Sequence, residues 1–307
     1  MVLIRKESLD KLKLEGILRK DYLPIIKKML WTLISIFVLT IFLGAPFIYK
    51  KITTTKPSFE NQPLPQISGE KTIEQPKERK INPEKFYAPI LLYHHIAKTE
   101  SQNSYFVSPE IFDSQMEWLK NNGYHIISLD KLYRAAKEQD TLPDKPIVIT
   151  FDDSLFDQYK NGFPILKKYG FPATFFVKLN NIGKGGLTYK MLREMAEAGM
   201  TIGSHSINHN NMAKMDPDIS REELVGSKKI LENNLGIEIN FFSYPGGAYS
   251  EQTIVAVKEA GYLAAIGTKH KVYQEIKNED SFYTLSRVHI DDEMPTFIDW
   301  IQGINLD

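Results

Sequence analysis

The sequence predicts an α/β domain on parallel strands, with six or seven strand–helix units able to close into a barrel, preceded by a single transmembrane helix. Three observations carry this expectation. From about Ala88 onward, short apolar runs alternate with helix-like stretches, the pattern of a parallel sheet with crossover helices. Gly123, Gly170, Gly199, Gly236 and Gly261 each follow one of those stretches, where a left-handed C-terminal residue is expected. Residues 29–49 read MLWTLISIFVLTIFLGAPFIY without a charge.

Taken in order, residues 1–28 form a basic leader with eight Lys/Arg ending in Lys27 and Lys28. The apolar run 29–49 would span about 31 Å as a helix, close to the hydrocarbon thickness of a bilayer. Trp31 and Tyr49 stand near its ends, as interface aromatics do. A cleaved signal peptide has a shorter apolar region and an A-x-A-like site, so an uncleaved signal anchor is the expectation. The positive-inside rule then places the N-terminus in the cytoplasm and the remainder outside, a single-pass cell-membrane protein. Residues 50–85 carry Pro57, Pro63, Pro65, Pro76 and Pro83 and no periodic apolar face, the composition of an extended stalk. The domain occupies 86–307. Its expected strands are 89–93, 147–151, 173–177, 201–203, 239–244, 263–266 and 284–290. Its expected helices are 109–122, 130–138, 156–169, 188–198, 218–235 and 250–260, with N-caps at Ser108 and Thr188.

Composition excludes several classes. The 307 residues hold 38 Lys+Arg, 38 Asp+Glu and no cysteine, so disulfides, thiolate zinc sites and a cysteine nucleophile are absent. A zero net charge argues against a nucleic-acid binder. The zero is the sum of two unlike parts. Residues 1–56 hold 11 Lys+Arg against 4 Asp+Glu, and residues 57–307 hold 27 against 34.

Three expected strands end in polar residues, and in parallel barrels chemistry gathers at the C-terminal strand ends. The strand 147–151 runs into Asp152, Asp153 and Ser154. One carboxylate can ligate a metal while the other acts as a base; a helix N-cap is the plain alternative. The strand 201–203 runs into Ser204, His205, Ser206, Ile207, Asn208 and His209. Two histidines four residues apart suit one metal ion, and with an Asp they leave coordination positions open. The strand 89–93 runs into His94 and His95. A histidine there can work as general acid or base, or be held structurally by backbone.

Together these residues resemble the NodB-type polysaccharide deacetylases, carbohydrate esterase family 4. The family's T-F-D-D-G reads Thr150-Phe151-Asp152-Asp153-Ser154, its H-[ST]-x-x-H reads His205-Ser206-Ile207-Asn208-His209, and the stretch matching R-x-P-Y-G is Ser243-Tyr244-Pro245-Gly246-Gly247. The opening Pro-Ile-Leu-Leu-Tyr-His-His-Ile is similar to the branch that includes the biofilm poly-N-acetylglucosamine deacetylases. The resemblance covers about residues 88–307 and implies a distorted (β/α) barrel of seven or eight strands. It implies a divalent metal, zinc above all, with cobalt or nickel as alternatives, held by Asp153, His205 and His209. It implies Asp152 as the base.

Two departures from the family pattern matter. The third-motif Arg, which orients the catalytic Asp, is Ser243 here, and Arg287 is the candidate substitute. The general acid is either His94, the preferred choice in the Tyr-His branch, or His289, with His95 left for a supporting or structural place. The Gly246 N–H is the expected oxyanion donor, and Gly246, Tyr244 and His289 together are the candidate oxyanion or substrate contacts. The implied activity is removal of N-acetyl groups from N-acetylglucosamine units of a cell-envelope or secreted polysaccharide. The competing readings are an inactive membrane-tethered glycan-binding module, and a deacetylase acting on peptidoglycan or O-acetyl esters. No protein partner is inferred.

Overall fold

The computed structural model describes residues 77–101 and 103–303. The leader, the apolar run 29–49 and most of the expected stalk lie outside them. Among the described residues no helix is long and apolar enough to cross a membrane. The chain runs β1 (Glu78–Arg79), β2 (Phe86–Tyr87), β3 (Ile90–Tyr93), β4 (His95–Ile96), β5 (Phe106–Val107), α1 (Pro109–Asn121), β6 (His125–Ile126), α2 (Leu129–Ala136), β7 (Leu142–Pro143) and β8 (Pro146–Phe151). A π-helical turn, Gln158–Gly162, leads into α3 (Phe163–Tyr169), β9 (Thr174–Val177), α4 (Tyr189–Glu197), β10 (Thr201–Ser204), α5 (Pro217–Leu235) and β11 (Phe241–Ser243). Last come α6 (Glu251–Glu259), β12 (Ala264–Ile266), β13 (Tyr273–Gln274), β14 (Val288–His289) and α7 (Met294–Gln302).

The main sheet has the order β12-β11-β10-β9-β8-β3-β14, with β6 against the start of β8. Every pairing along it is parallel. The sheet curls. Leu285 bridges to Ile266 at the β12 edge, while Val288 and His289 pair with Leu91 and Leu92 at the opposite end. One short stretch therefore touches both ends of the sheet. The expected strand 284–290 is divided in this way, with Arg287 between its two attachments.

Parallel strands covered on both faces read as continuous apolar runs, and all six residues of β8 and all four of β3 are buried. The helices lie outside, burying stripes such as Phe112, Met116 and Leu119 of α1, a spacing of one helical face. Ser108 and Thr188 cap α1 and α4 by accepting from Ile111 N and Met191 N. Gly170 and Gly236 end α3 and α5 in the left-handed conformation.

The structure departs from expectation in three places. The expected helix 156–169 begins as a π turn, because Pro164 has no N–H for the α-helical ladder and Phe163 N–H instead reaches Gln158 O. Helix α7 was not anticipated, since only Phe297 and Ile301 of its residues are buried. Glu78 and Arg79, assigned by composition to the stalk, pair with Pro143 and Leu142.

The centre of the core is aromatic. The Phe151 ring stacks on Phe175 at 4.6 Å and on Tyr93 at 5.5 Å, with Phe112 edge-on at 5.8 Å. Phe151→Ala is expected to cost about 3–5 kcal/mol through lost burial and a residual cavity, read as a lowered midpoint in urea denaturation.

Candidate functional site

The C-terminal ends of β3, β8, β10 and β11 open into a cleft of about 550 Å³. His94, Asp152, Asp153, His205, His209, Gly246 and His289 all line it. Seven of the nine residues singled out from the sequence are thus brought to one cavity. Arg287 and Tyr244 are not part of its lining.

The site is built outward from Asp152, the first residue beyond β8. It is 3% exposed and meets Arg287 in a fork: Nη1 donates to Oδ1 at 2.7 Å and Nη2 to Oδ2 at 2.7 Å. Arg287 is itself 1% exposed. Its Nε donates to Gly267 O at 3.0 Å, Nη1 also to Thr150 Oγ1 at 3.3 Å, and Nη2 also to Ser243 Oγ at 2.8 Å. All five guanidinium N–H donors are thereby used. Ser243 Oγ in turn donates to Asp152 Oδ2 at 3.0 Å. Burial by itself raises the Asp152 carboxyl; the Arg287 guanidinium and then His205 outweigh it and hold it well below the usual carboxylate range. The arginine absent from position 243 is thus supplied from position 287, and the serine left behind is a partner of both ions.

Asp153, His205 and His209 each offer one ligand atom, and these atoms lie within 4.8 Å of one another. His209 Nε2 is 3.5 Å and His205 Nε2 is 3.9 Å from Asp153 Oδ1. Two features fit a metal. His205 Nδ1 lies 2.7 Å from Ser243 O, which places its proton there and turns Nε2, unprotonated, toward the trio. Asp153 Oδ1 is buried without a hydrogen-bond partner, an orphaned charge-bearing oxygen that a cation would satisfy.

The backbone is strained around this trio. Asp153, Ser154, Ser206 and His209 have φ of +73°, +52°, +62° and +63°, a left-handed conformation that costs L-residues roughly 1–2 kcal/mol each. Ser154 takes the place of the motif's glycine. It holds the turn with its hydroxyl, which bonds Asp153 O at 2.6 Å and Lys178 O at 3.1 Å. Asn181 Nδ2 adds a bond to Asp153 O at 2.8 Å.

Across the cleft stand His94 and His289, ring centroids 5.4 Å apart, with Tyr105 edge-on to both at 4.6 and 5.1 Å. Both histidines face the cavity. Burial pushes His94 down to about 4 against the opposing pull of Asp152 and Asp153, and burial also lowers His289. His95 points elsewhere: Nδ1 meets Asp157 Oδ2 at 2.7 Å and its ring stacks on Phe106 at 4.0 Å. Its place is structural.

One expectation is corrected. Tyr244 does not present its side chain to substrate. It is fully buried, packed on Tyr249 and Phe242, because residues two apart along extended chain share a face and Tyr244 follows Phe242 into the core. Only its carbonyl acts nearby, accepting from Gly247 N at 2.8 Å, and Gly246, at φ +62°, lines the cleft wall.

Sequence reading missed Gln158. From the π turn, its Nε2 bonds His94 O at 2.9 Å and Asp152 O at 2.5 Å, tying the ends of β3 and β8 together. Its only sequence signal was a polar residue where the expected helix 156–169 turns inward.

Removing one member of a buried ion pair leaves the other uncompensated. Arg287→Met is expected to cost about 3–5 kcal/mol and Ser243→Ala about 1–2 kcal/mol, measured by chemical denaturation of metal-free protein. A histidine with a depressed folded pKa binds its proton more readily when unfolded. Metal-free protein should therefore lose stability as pH falls from about 6.5 to about 4, with the decline shallower in His94→Leu, followed by melting temperature across that range.

A model of the family described as polysaccharide deacetylase matches residues 139–265. The chain is 34% identical over 203 residues to "Putative polysaccharide deacetylase YxkH" of Bacillus subtilis strain 168, covering 66% of this chain and 71% of that protein. It is 28% identical over 217 residues to the poly-beta-1,6-N-acetyl-D-glucosamine N-deacetylase of Staphylococcus aureus strain MRSA252, covering 66% and 73%. The solved structure of the Streptococcus pyogenes deacetylase PplD in complex with acetate superimposes with a TM-score of 0.64 at 28% identity, covering 73% of this chain and 97% of that one. With the curled parallel sheet and a metal-fitting trio at its strand ends, these similarities make the chain a member of the polysaccharide deacetylase family, a deacetylase hydrolase.

Proposed function

We propose that the protein removes N-acetyl groups from N-acetylglucosamine units of a cell-envelope or secreted polysaccharide. The observation that carries this reading is the juxtaposition, in one cleft, of the Asp153–His205–His209 trio with a buried carboxylate fixed by Arg287. The Staphylococcus aureus relative named for poly-beta-1,6-N-acetyl-D-glucosamine supports the substrate class. The uncharged run 29–49 after a basic leader supports a membrane-anchored, outward-facing domain.

Asp153, His205 and His209 would hold a divalent metal, with zinc favoured by a one-carboxylate, two-imidazole set. When bound, such a metal lowers the pKa of water and polarises a carbonyl oxygen, which answers the low reactivity of an amide. Asp152 stays ionised at physiological pH and is held by two parallel N–H···O bonds, so an unprotonated acceptor with a fixed direction faces the attacking water. The Gly246 N–H is the chain's own donor toward the oxygen that gains charge. His94 is neutral at rest because it is desolvated. As negative charge develops on the acetyl carbon's oxygen in the same low-dielectric cleft, the proton affinity of His94 grows; the proton that Asp152 takes from water passes to His94, and His94 hands it to the departing nitrogen. Water thus supplies hydroxide to the acyl carbon and a proton to the amine, giving acetate and a glucosamine unit.

The full-length protein in detergent is expected to release acetate from β-1,6-linked N-acetylglucosamine oligomers, with loss of release under chelation. Asp152→Asn should lower the rate by about 10²–10⁴-fold while metal content is retained. Undiminished release by Asp152→Asn overturns the mechanism; release from peptidoglycan alone, with none from β-1,6- or β-1,4-linked N-acetylglucosamine oligomers, overturns the substrate.

A further inference from the structure

Half of the buried face of α5 is polar: Ser220, Glu223 and Ser227 lie beside Leu224, Leu231 and Leu235. Glu223, Gly226 and Ser227 share one helical face by their i, i+3, i+4 spacing, and that face abuts the end of β10 and the turn after it. Ser204 Oγ donates to Ser227 Oγ at 2.8 Å. A Cβ at Gly226 would come within 3.0 Å of Ile207 Cδ1, so the glycine lets the helix close on the turn. Glu223, 5% exposed, then reaches into it. Its Oε2 accepts from the backbone N–H of Ile207 at 2.8 Å and of Asn208 at 2.9 Å, and its Oε1 accepts from the Asn208 side-chain amide.

All three contacts fall between the two ligand histidines. Consecutive backbone N–H groups that converge after a left-handed residue form a concavity that binds an anion. Here the left-handed residue is Ser206, and a second one, His209, closes the turn with its N–H on Ser206 Oγ at 2.9 Å. Two left-handed non-glycine residues within four positions hold only if something over-determines them. Without the Glu223 carboxylate, the part-buried Ile207 and Asn208 N–H groups lose a shared charged acceptor, and relaxation of the turn would carry the His209 ring away from Asp153. Glu223 touches neither the metal trio nor the cleft.

We propose that Glu223 is a positioning residue, an internal anion that sets the His205–His209 turn in its ligating geometry before the metal arrives. This rests on the metal-site reading above. Its test is Zn²⁺ affinity of the full-length protein, by competition with a chromophoric chelator, in wild type, Glu223→Ala and Glu223→Gln, alongside far-UV circular dichroism and metal-free melting temperature. Glu223→Ala is expected to bind Zn²⁺ about 10–100-fold more weakly while folded, the range seen when residues supporting metal ligands are removed. Glu223→Gln should fall between the two, because its amide oxygen still accepts both backbone N–H groups while its NH₂ opposes that of Asn208. A folded Glu223→Ala within twofold of wild-type affinity overturns the proposal, whatever its melting temperature; if that variant does not fold, an unchanged affinity in Glu223→Gln overturns it. Wild-type protein that binds no Zn²⁺ overturns the metal-site reading and this inference with it, whereas wild-type binding with unaffected variants overturns the positioning role alone.

Discussion

The architecture of the site depends on one buried ion pair. Asp152 and Arg287 are both withdrawn from water, which costs several kcal/mol per ion before any attraction is counted. The pair is tolerable because nothing in it is left unsatisfied. The guanidinium spends every N–H on Asp152, Thr150, Ser243 or Gly267, and the carboxylate takes the fork on both oxygens. The partners come from β8, β11, the loop after β12 and the segment entering β14. The pair therefore exists only when the sheet has curled far enough to bring residue 287 opposite residue 152. Completion of the fold and orientation of the Asp152 carboxylate are one event.

Strain is distributed around that pair in a consistent way. Asp153 and His209 adopt left-handed conformations, and so do the residues next to or near them, Ser154 and Ser206. These turns aim side chains from two strand ends into the space between them, which regular extended or helical backbone would not do. The compensations are local hydrogen bonds: Ser154 to Lys178 O, Asn181 to Asp153 O, His209 N to Ser206 Oγ, and the Glu223 carboxylate to the 207–208 amides. Asp153 Oδ1 alone is left without a partner among these carboxylate contacts, at the point where a cation would sit. The stability spent on the turns is what a preorganised site requires.

Much of the fold was legible because its signals are local. The β8 strand announces itself as an unbroken apolar run, and the helix ends announce themselves through Ser108, Thr188 and the following glycines. The metal-fitting trio was legible for a similar reason. Asp153 sits two residues beyond the end of a strand, and His205 and His209 are four residues apart, so short-range spacing and strand context together point to one cavity. Tyr244 misled for the converse reason: motif position suggested the cleft, while strand alternation, the stronger constraint, turned the ring into the core. Gln158 and Glu223 carried no decisive local signal, since a polar residue in a helical stretch reads as solvent-facing until its surroundings are known.

The sequence by itself determined the alternation of strands and helices, the ends of most helices, and the identity of the candidate residues for metal binding and proton transfer. These follow from side-chain chemistry and periodicities of two and 3.6, which act over a few residues. Tertiary structure alone decided that Arg287 replaces an arginine absent from position 243, that Ser243 serves both ions and His205, and that His94 and His289 face the cleft while His95 does not. Those outcomes depend on residues 38 positions apart (His205 and Ser243) and 135 positions apart (Asp152 and Arg287) meeting at strand ends, and such meetings are set by the curl of the sheet and the burial of charge, which no local pattern encodes.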